Sequence, residues 1–236
     1  LEEYREKLIA RQGFGRQVRN TIINKARTGG DKPRVVYGEG ELPKIIRAAY
    51  QVQEEGIAEP VLLGRKDEIK GVISDLGLNF SPTILTPYEE TNYESYRGEF
   101  MKLRERKGIT SAKADAIMRG RTAFGLMMVR MGDADAFLSG MTHEYPDVVR
   151  PALQILGTAD GVQRVSAVYL TIVKGKRYLF TDPTININPD AETLAEIAIS
   201  AADYAKTLDM EPRVAMLSFS NFGSTKHPQA DRVREA

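Results

Sequence analysis

Short apolar runs alternate with stretches of helical spacing from about residue 34 onward. The run RVVYG (34–38) is rich in β-branched residues, and LPKIIRAAYQVQEEG (42–56) has apolar residues at helical spacing and ends in glycine. The same pair recurs as PVLLG (60–64) followed by KDEIKGVISDLG (66–77). Because strands that alternate with helices of about 10–15 residues form parallel sheets, we expect a parallel sheet with helices on both faces.

The middle of the chain is predicted to be mostly helical before it returns to the sheet. Residues 88–131 have helical patterning, with breaks at Gly108 and Gly120. The segment ADAFLSG (134–140) is then an apolar strand that ends in a serine-glycine turn. A short buried strand bounded by such a turn fits the interior of the same parallel sheet.

The patterning changes in the last third of the chain. Two extended runs around a Lys-Gly-Lys turn (165–182) predict a β-hairpin. A helix over 191–206, a strand over 213–220 and a further helix from His227 onward are expected to follow. The change from a βα rhythm to a hairpin suggests a second structural unit.

The chain is therefore predicted to have three parts. Residues 1–32 are N-terminal connector helices, 33–145 form a first α/β subdomain, and 146–236 form a second. No strand follows the last predicted helix, so a doubly wound subdomain that stops there leaves an apolar helix face uncovered. We expect the second subdomain to be cut short before its C-terminal segment.

Composition excludes several functional classes. The chain has no cysteine, which removes disulfides, thiolate metal sites and cysteine nucleophiles. Its net charge is +1 with both signs interspersed, and this argues against a nucleic-acid partner, which a basic stripe would indicate. No apolar run approaches the roughly 20 residues of a membrane helix, and the N-terminus lacks the apolar core of a signal peptide. A cytoplasmic protein without a membrane partner is expected.

The strongest candidate site is DADAFLSGMTHEYPDVVRP (133–151), where a buried strand ends among small and polar residues. Ligands of open α/β sheets bind beyond the carboxyl ends of the strands. Glycine there lets a ligand approach the backbone, and arginine can clamp a phosphate. The residues concerned are Ser139, Gly140, Thr142, His143 and Arg150. The alternative is an ordinary strand-turn-helix junction without a ligand.

Two other segments are candidate anion sites. FMKLRERKGIT (100–110) crowds four cations near a helix end, where they either complement the helix dipole or bind an anion. SFSNFGSTKHP (218–228) offers hydroxyls and backbone N–H groups before a helix, with Ser220 and Ser224 as candidate phosphate contacts. The latter has neither the Walker A spacing nor the dinucleotide glycine pattern.

Two further features are assigned structural roles. The glycine turn GEGELP (38–43) is interpreted as a strand-to-helix connection, with Glu39 or Glu41 helping to cap the helix. His143 and His227 lie too far apart in sequence to suggest a shared metal site, and no carboxylate cluster accompanies them. No metal site is expected in this chain.

Several of these segments together resemble the phosphate acetyltransferase/butyryltransferase family. They occur in the family's order and cover most of the chain from about residue 33. They are GEGELPKIIRAA, EPVLLGR, LRERKGIT, DADAFLSGMTHEYPDVVRPALQ, FTDPTININPDAETLAEIAISAA and RVAMLSFSNFGS. The SNFGS wording and the leading EEYREKL segment are similar to the domain fused to bacterial NADP-dependent malic enzymes.

The resemblance implies a fold, a ligand and an assembly. The fold is a two-subdomain α/β fold like that of isocitrate and isopropylmalate dehydrogenases, with mostly parallel sheets, flanking helices and a homodimer or higher homo-oligomer formed through the second subdomain. Arg104 and Arg150 match family arginines implicated in CoA or phosphate binding, while Ser139, Gly140 and Thr142 lie on the matching cleft loop. The family's remaining catalytic residues, a serine-arginine pair and an aspartate, fall in a segment that this chain does not contain.

Three functions compete at this point. The first, which the sequence favours, is a regulatory acetyl-CoA-binding and oligomerisation module of a malic enzyme. In it, an upstream catalytic domain of the same polypeptide would use NADP and a divalent metal, and acetyl-CoA would act allosterically. The second is an active phosphate acetyltransferase, and the third is a decarboxylating dehydrogenase, which would need clustered aspartates for a metal. Acetyl-CoA or CoA is the expected ligand, and this chain itself is expected to carry no cofactor.

Overall fold

The computed structural model describes residues 13–221 and 223–236, and its elements follow the predicted alternation. They are α1 (Phe14–Thr28), β1 (Arg34–Tyr37), α2 (Pro43–Glu54), β2 (Glu59–Leu63), α3 (Lys66–Asp75), β3 (Thr83–Leu85), α4 (Tyr93–Arg104), α5 (Ser111–Met118), α6 (Arg121–Met131), β4 (Ala136–Leu138), α7 (Tyr145–Ile155), β5 (Val168–Val173), β6 (Lys176–Thr181), α8 (Ala191–Thr207) and α9 (Pro228–Glu235). The connector helices were predicted over residues 1–32. Helix α1 lies within this range, and residues 1–12 lie outside the described residues.

A parallel sheet organises the first half of the described chain. Its strand order is β3-β2-β1-β4, and each neighbouring pair is parallel. Val36 of β1 lies opposite both Val61 of β2 and Phe137 of β4, which fixes the register of the three central strands. The predicted parallel α/β architecture is therefore confirmed.

Helices cover both faces of this sheet, because successive side chains of a strand point to opposite sides. Val36 and Leu63 belong to a buried cluster that also contains residues of α4, α5, α6 and α7. Tyr37 and Leu62, one position away in each strand, belong to a second cluster with residues of α2 and α3. Near-continuous apolar strands such as PVLL are typical of a sheet buried on both faces.

Gly125 lets α6 approach the sheet closely. A Cβ atom at this position would lie 2.4 Å from the ring of Phe137 on β4, far inside van der Waals contact. The glycine is buried within its helix. A larger residue there would force the helix and the strand apart.

Strand β3 was not predicted from the sequence. It has three residues, Thr83–Leu85, and forms the edge of the sheet against β2. The segment is too short for its patterning to be distinguished from a loop, and its place in the sheet depends on pairing with β2 rather than on its own composition.

The described chain divides into two compact units. One contains Ile23–Gly157, and the other contains the described residues up to Ile22 together with those from Thr158 onward. The division therefore falls after Gly157 rather than at residue 145. The reason is that α7 packs in the core of the first unit, where Ile155 is buried and its carbonyl accepts a hydrogen bond from Arg130 of α6 at 2.9 Å.

The second unit contains the predicted hairpin and the long helix α8. Strands β5 and β6 pair antiparallel, and Lys174 and Gly175 in the turn both have positive φ, as the preferred two-residue hairpin turns require. Asp190 caps α8 by accepting a hydrogen bond from the Thr193 N–H at 2.8 Å. The hairpin and the aspartate cap are both confirmed.

The strand predicted over 213–220 is wrong. These residues have no regular secondary structure, and Leu217 and Phe219 are 79% and 60% exposed. A strand needs a neighbour to pair its backbone N–H and C=O groups. In the described part of the second unit, β5 and β6 pair with each other and nothing pairs with this segment.

Candidate functional site at the carboxyl edge of the sheet

The carboxyl ends of β1 and β4 bring two loops of the first unit together. The loop after β1 carries Glu39 and Glu41, and the loop after β4 runs from Ser139 to Glu144. Because β1 and β4 are adjacent and parallel, both loops leave the same edge of the sheet. This is the edge where open α/β sheets bind ligands.

Glu39 joins the two loops. Its carboxylate accepts hydrogen bonds from the Thr142 N–H at 2.8 Å, the Thr142 hydroxyl at 3.2 Å and the Gly140 N–H at 3.2 Å. The Glu39 residue is only 5% exposed. A buried carboxylate is tolerated when donors surround it in this way.

These contacts also decide the charge of Glu39. Burial raises its pKa, but hydrogen bonds from the backbone and side chain of Thr142 and from the backbone of Gly140 outweigh burial. The pKa is therefore lowered from its ordinary value, and the side chain is an ionised acceptor at neutral pH.

Glu41 forms a second network beside the first. Its carboxylate accepts from the Arg65 N–H at 2.9 Å and from the Arg121 guanidinium at 2.8 Å. Burial raises the pKa of Glu41, but the Arg65 hydrogen bond and the charge of Arg121 lower it by more than burial raises it, so the net shift is downward. The ion pair holds Arg121 at the start of α6 with its side chain still 37% exposed.

A cleft of about 330 Å³ opens between these networks. Its lining combines the two glutamates with an arginine, an imidazole, two threonines and the first residues of α6. The lining residues are Glu39, Glu41, Leu42, Gly120, Arg121, Thr122, Thr142 and His143. Both glutamates already accept hydrogen bonds from the protein, so Arg121 and His143 can bind an anion in the cleft. Phosphate suits this site because a guanidinium can donate two parallel hydrogen bonds to it.

The structure gives Glu39 and Glu41 roles other than the predicted cap. The N-cap of α2 is Leu42, and it has no side-chain cap hydrogen bond. The partners of both glutamates lie on segments remote in sequence, at positions 140–142 for Glu39 and at Arg65 and Arg121 for Glu41. Local patterning contained no signal for these contacts.

The predicted loop residues lie at this edge, but their donors are already in use. The N–H groups of Gly140 and Thr142 point to Glu39. The Ser139 hydroxyl is buried and has no hydrogen-bond partner among the described residues, and it lies against Gly38. Of these three residues, Thr142 lines the cleft. Ligand contact by Ser139, Gly140 and Thr142 stays a prediction.

Arg104 and Arg150 lie on neighbouring helices of the same unit. Helix α4, which Arg104 ends, packs against α7, which contains Arg150. Neither guanidinium has a hydrogen-bond or ion-pair partner among residues 13–221 and 223–236. Both cations are therefore available to an anionic ligand.

The two helices begin at opposite edges of the sheet. The cap residue of α4, Asn92, donates to Asp133 just before β4, so α4 begins near the amino edge. Helix α7 instead begins in the loop beyond the carboxyl end of β4.

Arg130 of α6 contacts both helices. It pairs with Glu99 of α4 at 3.6 Å and donates to the Ile155 carbonyl of α7 at 2.9 Å. Arg104 and Arg150 each lie about 7.5 Å of helix rise from the residue that Arg130 contacts on their helix.

The remaining predicted residues belong to the second unit. The Ser220 hydroxyl accepts from the Thr225 N–H at 3.1 Å, and the Ser224 N–H donates to the Asn221 carbonyl at 3.0 Å. These bonds shape the loop before α9, where His227 is the N-cap. A role of Ser220 and Ser224 in phosphate binding stays a prediction.

The described residues hold neither a metal-ion cluster nor a membrane-spanning helix. Residues 13–221 and 223–236 contain no group of three or more histidine, aspartate or glutamate side chains arranged to hold a metal ion. Over the same part of the chain, no helix is long and apolar enough to cross a membrane.

The first unit is an α/β unit with a polar cleft at the carboxyl edge of a parallel sheet, and comparison with known proteins gives its family. Residues 17–236 match the family described as phosphate acetyl/butaryl transferase. The chain belongs to this family. The predicted family resemblance is therefore confirmed.

Individual relatives agree with the family match. Phosphate acetyltransferase of Thermoanaerobacterium thermosaccharolyticum is 42% identical over 223 residues, which cover 92% of this chain and 67% of the relative. The Bacillus subtilis phosphate acetyltransferase is 36% identical over 89% of this chain and 65% of its own length. The Escherichia coli enzyme of the same name is 37% identical over 92% of this chain but only 30% of its own length. The chain thus spans about two thirds, or less, of these relatives.

Solved structures show the same fold. A phosphotransacetylase from Streptococcus pyogenes superposes with a TM-score of 0.87 at 39% identity, covering 93% of this chain and 67% of the other. The EutD phosphotransacetylase from Staphylococcus aureus gives a TM-score of 0.83 at 33% identity and covers 93% of this chain and 66% of the other. The chain therefore has the α/β fold of phosphotransacetylases, with a parallel sheet flanked by helices.

The preferred functional prediction, a regulatory module of a malic enzyme, is wrong. The relatives described above are named phosphate acetyltransferases, and they match this chain over about nine tenths of its length. The SNFGS motif and the leading helix motif are too short to distinguish a domain fused to a malic enzyme from an enzyme of the same fold. The upstream catalytic domain, its NADP and its metal have no support.

Proposed function

We propose that this chain binds CoA and phosphate and, as a phosphate acetyltransferase, transfers an acetyl group between them. The observation that carries the proposal is the cleft at the carboxyl edge, where Arg121 and His143 face a space whose two carboxylates already accept hydrogen bonds from protein donors. Family membership and the names of the relatives support this choice of substrates.

The chemistry needs positive charge more than it needs a nucleophile from the protein. In one direction the thiolate of CoA attacks the carbonyl carbon of acetyl phosphate, the bond from that carbon to the phosphate oxygen breaks, and phosphate leaves with the electron pair. Negative charge develops on the carbonyl oxygen and on the departing phosphate. Preorganised cations in a cleft stabilise such charge without reorganisation during the reaction.

This chain supplies several cations in two arrangements. Arg121 is oriented by Glu41, so it is fixed before a ligand arrives. Arg104 and Arg150 have no partner in the described chain and are free to bind the phosphates of CoA. We assign Arg121 to the transferred phosphate and Arg104 and Arg150 to CoA, and we assign no catalytic base.

The proposal includes assembly as a homodimer or a higher homo-oligomer through the second unit. On one face of the β5–β6 hairpin, Tyr169 lies opposite Phe180, and Tyr178 is two residues from Phe180 on the same strand. All three side chains are exposed. Phe180→Lys is expected to shift the chain to monomer in sedimentation velocity, and an unchanged distribution would contradict this interface.

A cytoplasmic location belongs to the same proposal, since CoA is a cytoplasmic substrate.

Isothermal titration of acetyl-CoA, combined with arsenolysis, tests the proposed activity. Arsenate replaces phosphate as acetyl acceptor, and because acetyl arsenate hydrolyses at once, release of CoA reports turnover. We expect saturable binding of acetyl-CoA and CoA release that depends on arsenate. Absence of both binding and arsenate-dependent release would overturn the proposed function.

A further inference from the structure

We propose that Glu39 is a positioning residue that holds the loop of residues 139–143 in its cleft-facing conformation. The inference deepens the proposed function and rests on it, because that function makes this loop part of the substrate site. Glu39 acts through the loop, because its carboxylate is already bonded to Gly140 and Thr142.

The contacts of Glu39 are concentrated on this one loop. Its two carboxylate oxygens accept from two backbone N–H groups and one hydroxyl, all belonging to Gly140 and Thr142. The donors come from exposed residues, whereas the acceptor is buried. An exposed loop held by a buried acceptor cannot exchange these bonds for water without exposing the carboxylate.

These hydrogen bonds also decide which groups of the loop reach the cleft. Because the N–H groups of Gly140 and Thr142 point inward to Glu39, they are not available to a bound anion. His143 follows Thr142 directly and lines the cleft with Arg121. Fixing the backbone at Thr142 therefore also fixes the backbone position of His143, from which the imidazole extends toward the proposed phosphate position.

An ionised carboxylate suits this task better than an amide of the same size. All three donors need acceptors, and a carboxylate has two oxygens that only accept. In Glu39→Gln one of these oxygens becomes an NH₂ group, which cannot accept and would face an N–H donor. The substitution keeps the volume and removes part of the acceptor capacity.

Amide hydrogen exchange tests the positioning contact without any need for turnover. In the wild type the Gly140 and Thr142 amides should exchange more slowly than other amides of exposed residues. Glu39→Gln should accelerate the exchange of both at least tenfold. The matched control is Glu54→Gln, an exposed glutamate on α2 that should leave both rates unchanged. Equal exchange in wild type and Glu39→Gln overturns the proposal.

Steady-state kinetics then test whether the contact serves the substrate site. We expect Glu39→Gln to raise the KM for phosphate at least fivefold, with a smaller change in kcat, since the loop positions a binding group. Thr142→Val should raise the same KM, and Thr142→Ser, which keeps the hydroxyl, should restore it. In a double-mutant cycle, Glu39→Gln and Thr142→Val should be less than additive.

The outcomes separate the two proposals. A wild type that turns over, with kinetics unaffected by Glu39→Gln and Thr142→Val, overturns the positioning role and leaves the proposed function standing. A wild type that neither binds acetyl-CoA nor releases CoA overturns the proposed function, and the exchange rates still decide whether Glu39 holds the loop. Should Glu39→Gln fail to fold, Thr142→Val and Thr142→Ser decide the question, because they change one exposed side chain.

Discussion

The carboxylate of Glu41 and the guanidinium of Arg121 lie 2.8 Å apart in the lining of the cleft, although 80 positions separate them in sequence. Glu41 also accepts a hydrogen bond from the Arg65 N–H. This shared acceptor keeps Arg121 in one orientation while much of its side chain faces open space. A cation fixed in this way is suited to an anion that arrives and leaves repeatedly.

Arg121→Ala is expected to weaken phosphate binding by about tenfold to a hundredfold, since a hydrogen bond to a charged group contributes about 1.5–3 kcal/mol. Arg121→Lys should recover little of this, because a lysine cannot bind Glu41 and an anion through one planar fork. The measurement is the KM for phosphate in acetyl phosphate synthesis. Arg119→Ala, which removes a nearby exposed arginine paired with Asp115, is the control and should have no effect.

Arg104→Ala and Arg150→Ala are each expected to weaken acetyl-CoA binding by about tenfold or more, for the same energetic reason. Isothermal titration measures both dissociation constants. Arg106→Ala is the matched control, because it removes an exposed cation two residues from Arg104. If Arg106→Ala weakened binding as much as Arg104→Ala, the effect would be general electrostatic attraction and not a specific contact.

Gly125→Ala is expected to lower the free energy of unfolding by about 1–3 kcal/mol, as overpacking in a core does. The added methyl group would lie 2.4 Å from the Phe137 ring. Gly71→Ala in α3 is the control, because nothing lies within 4 Å of its Cβ position. It should raise stability by about 0.5–1 kcal/mol through helix propensity. Urea denaturation measures both, and equal effects of the two substitutions would contradict the close packing of α6.

Acid is expected to destabilise the first unit through Glu39 and Glu41. Both have a pKa below the ordinary value in the folded state, so their contribution is fully present above the unfolded pKa, near 4.3. It is lost as pH falls below that value through the folded pKa. Urea midpoints between pH 7 and pH 3 should fall less steeply in Glu39→Gln than in the wild type. Parallel slopes in the two proteins would show that Glu39 does not titrate with a shifted pKa.

Local patterning predicted much of the fold because its signals lie within single elements. The apolar runs RVVYG and PVLLG form buried strands, the Lys-Gly-Lys turn forms a hairpin, and Asp190 caps its helix. Each of these depends on neighbours a few residues away. The predicted strand over 213–220 failed because pairing is not a property of the segment alone.

The candidate site was only partly predictable for the same reason. The residue types after β4 indicated a ligand loop, and that loop does lie at the carboxyl edge of the sheet. Glu39 and Glu41 were interpreted as helix caps because their real partners are 24 to 103 positions away. Arg121 carried no local signal, since a cation at the start of a helix is not expected to face a carboxylate from another loop.

The sequence by itself determined the alternation of strands and helices, the parallel sheet and the family, because backbone propensity, apolar spacing and motif order are properties of short stretches. The tertiary structure alone decided which side chains share a cleft, where the first unit ends and which donors remain for a ligand. Those features depend on hydrogen bonds, ion pairs and packing between residues far apart in the chain. Such contacts form only when the sheet brings the ends of β1 and β4 side by side.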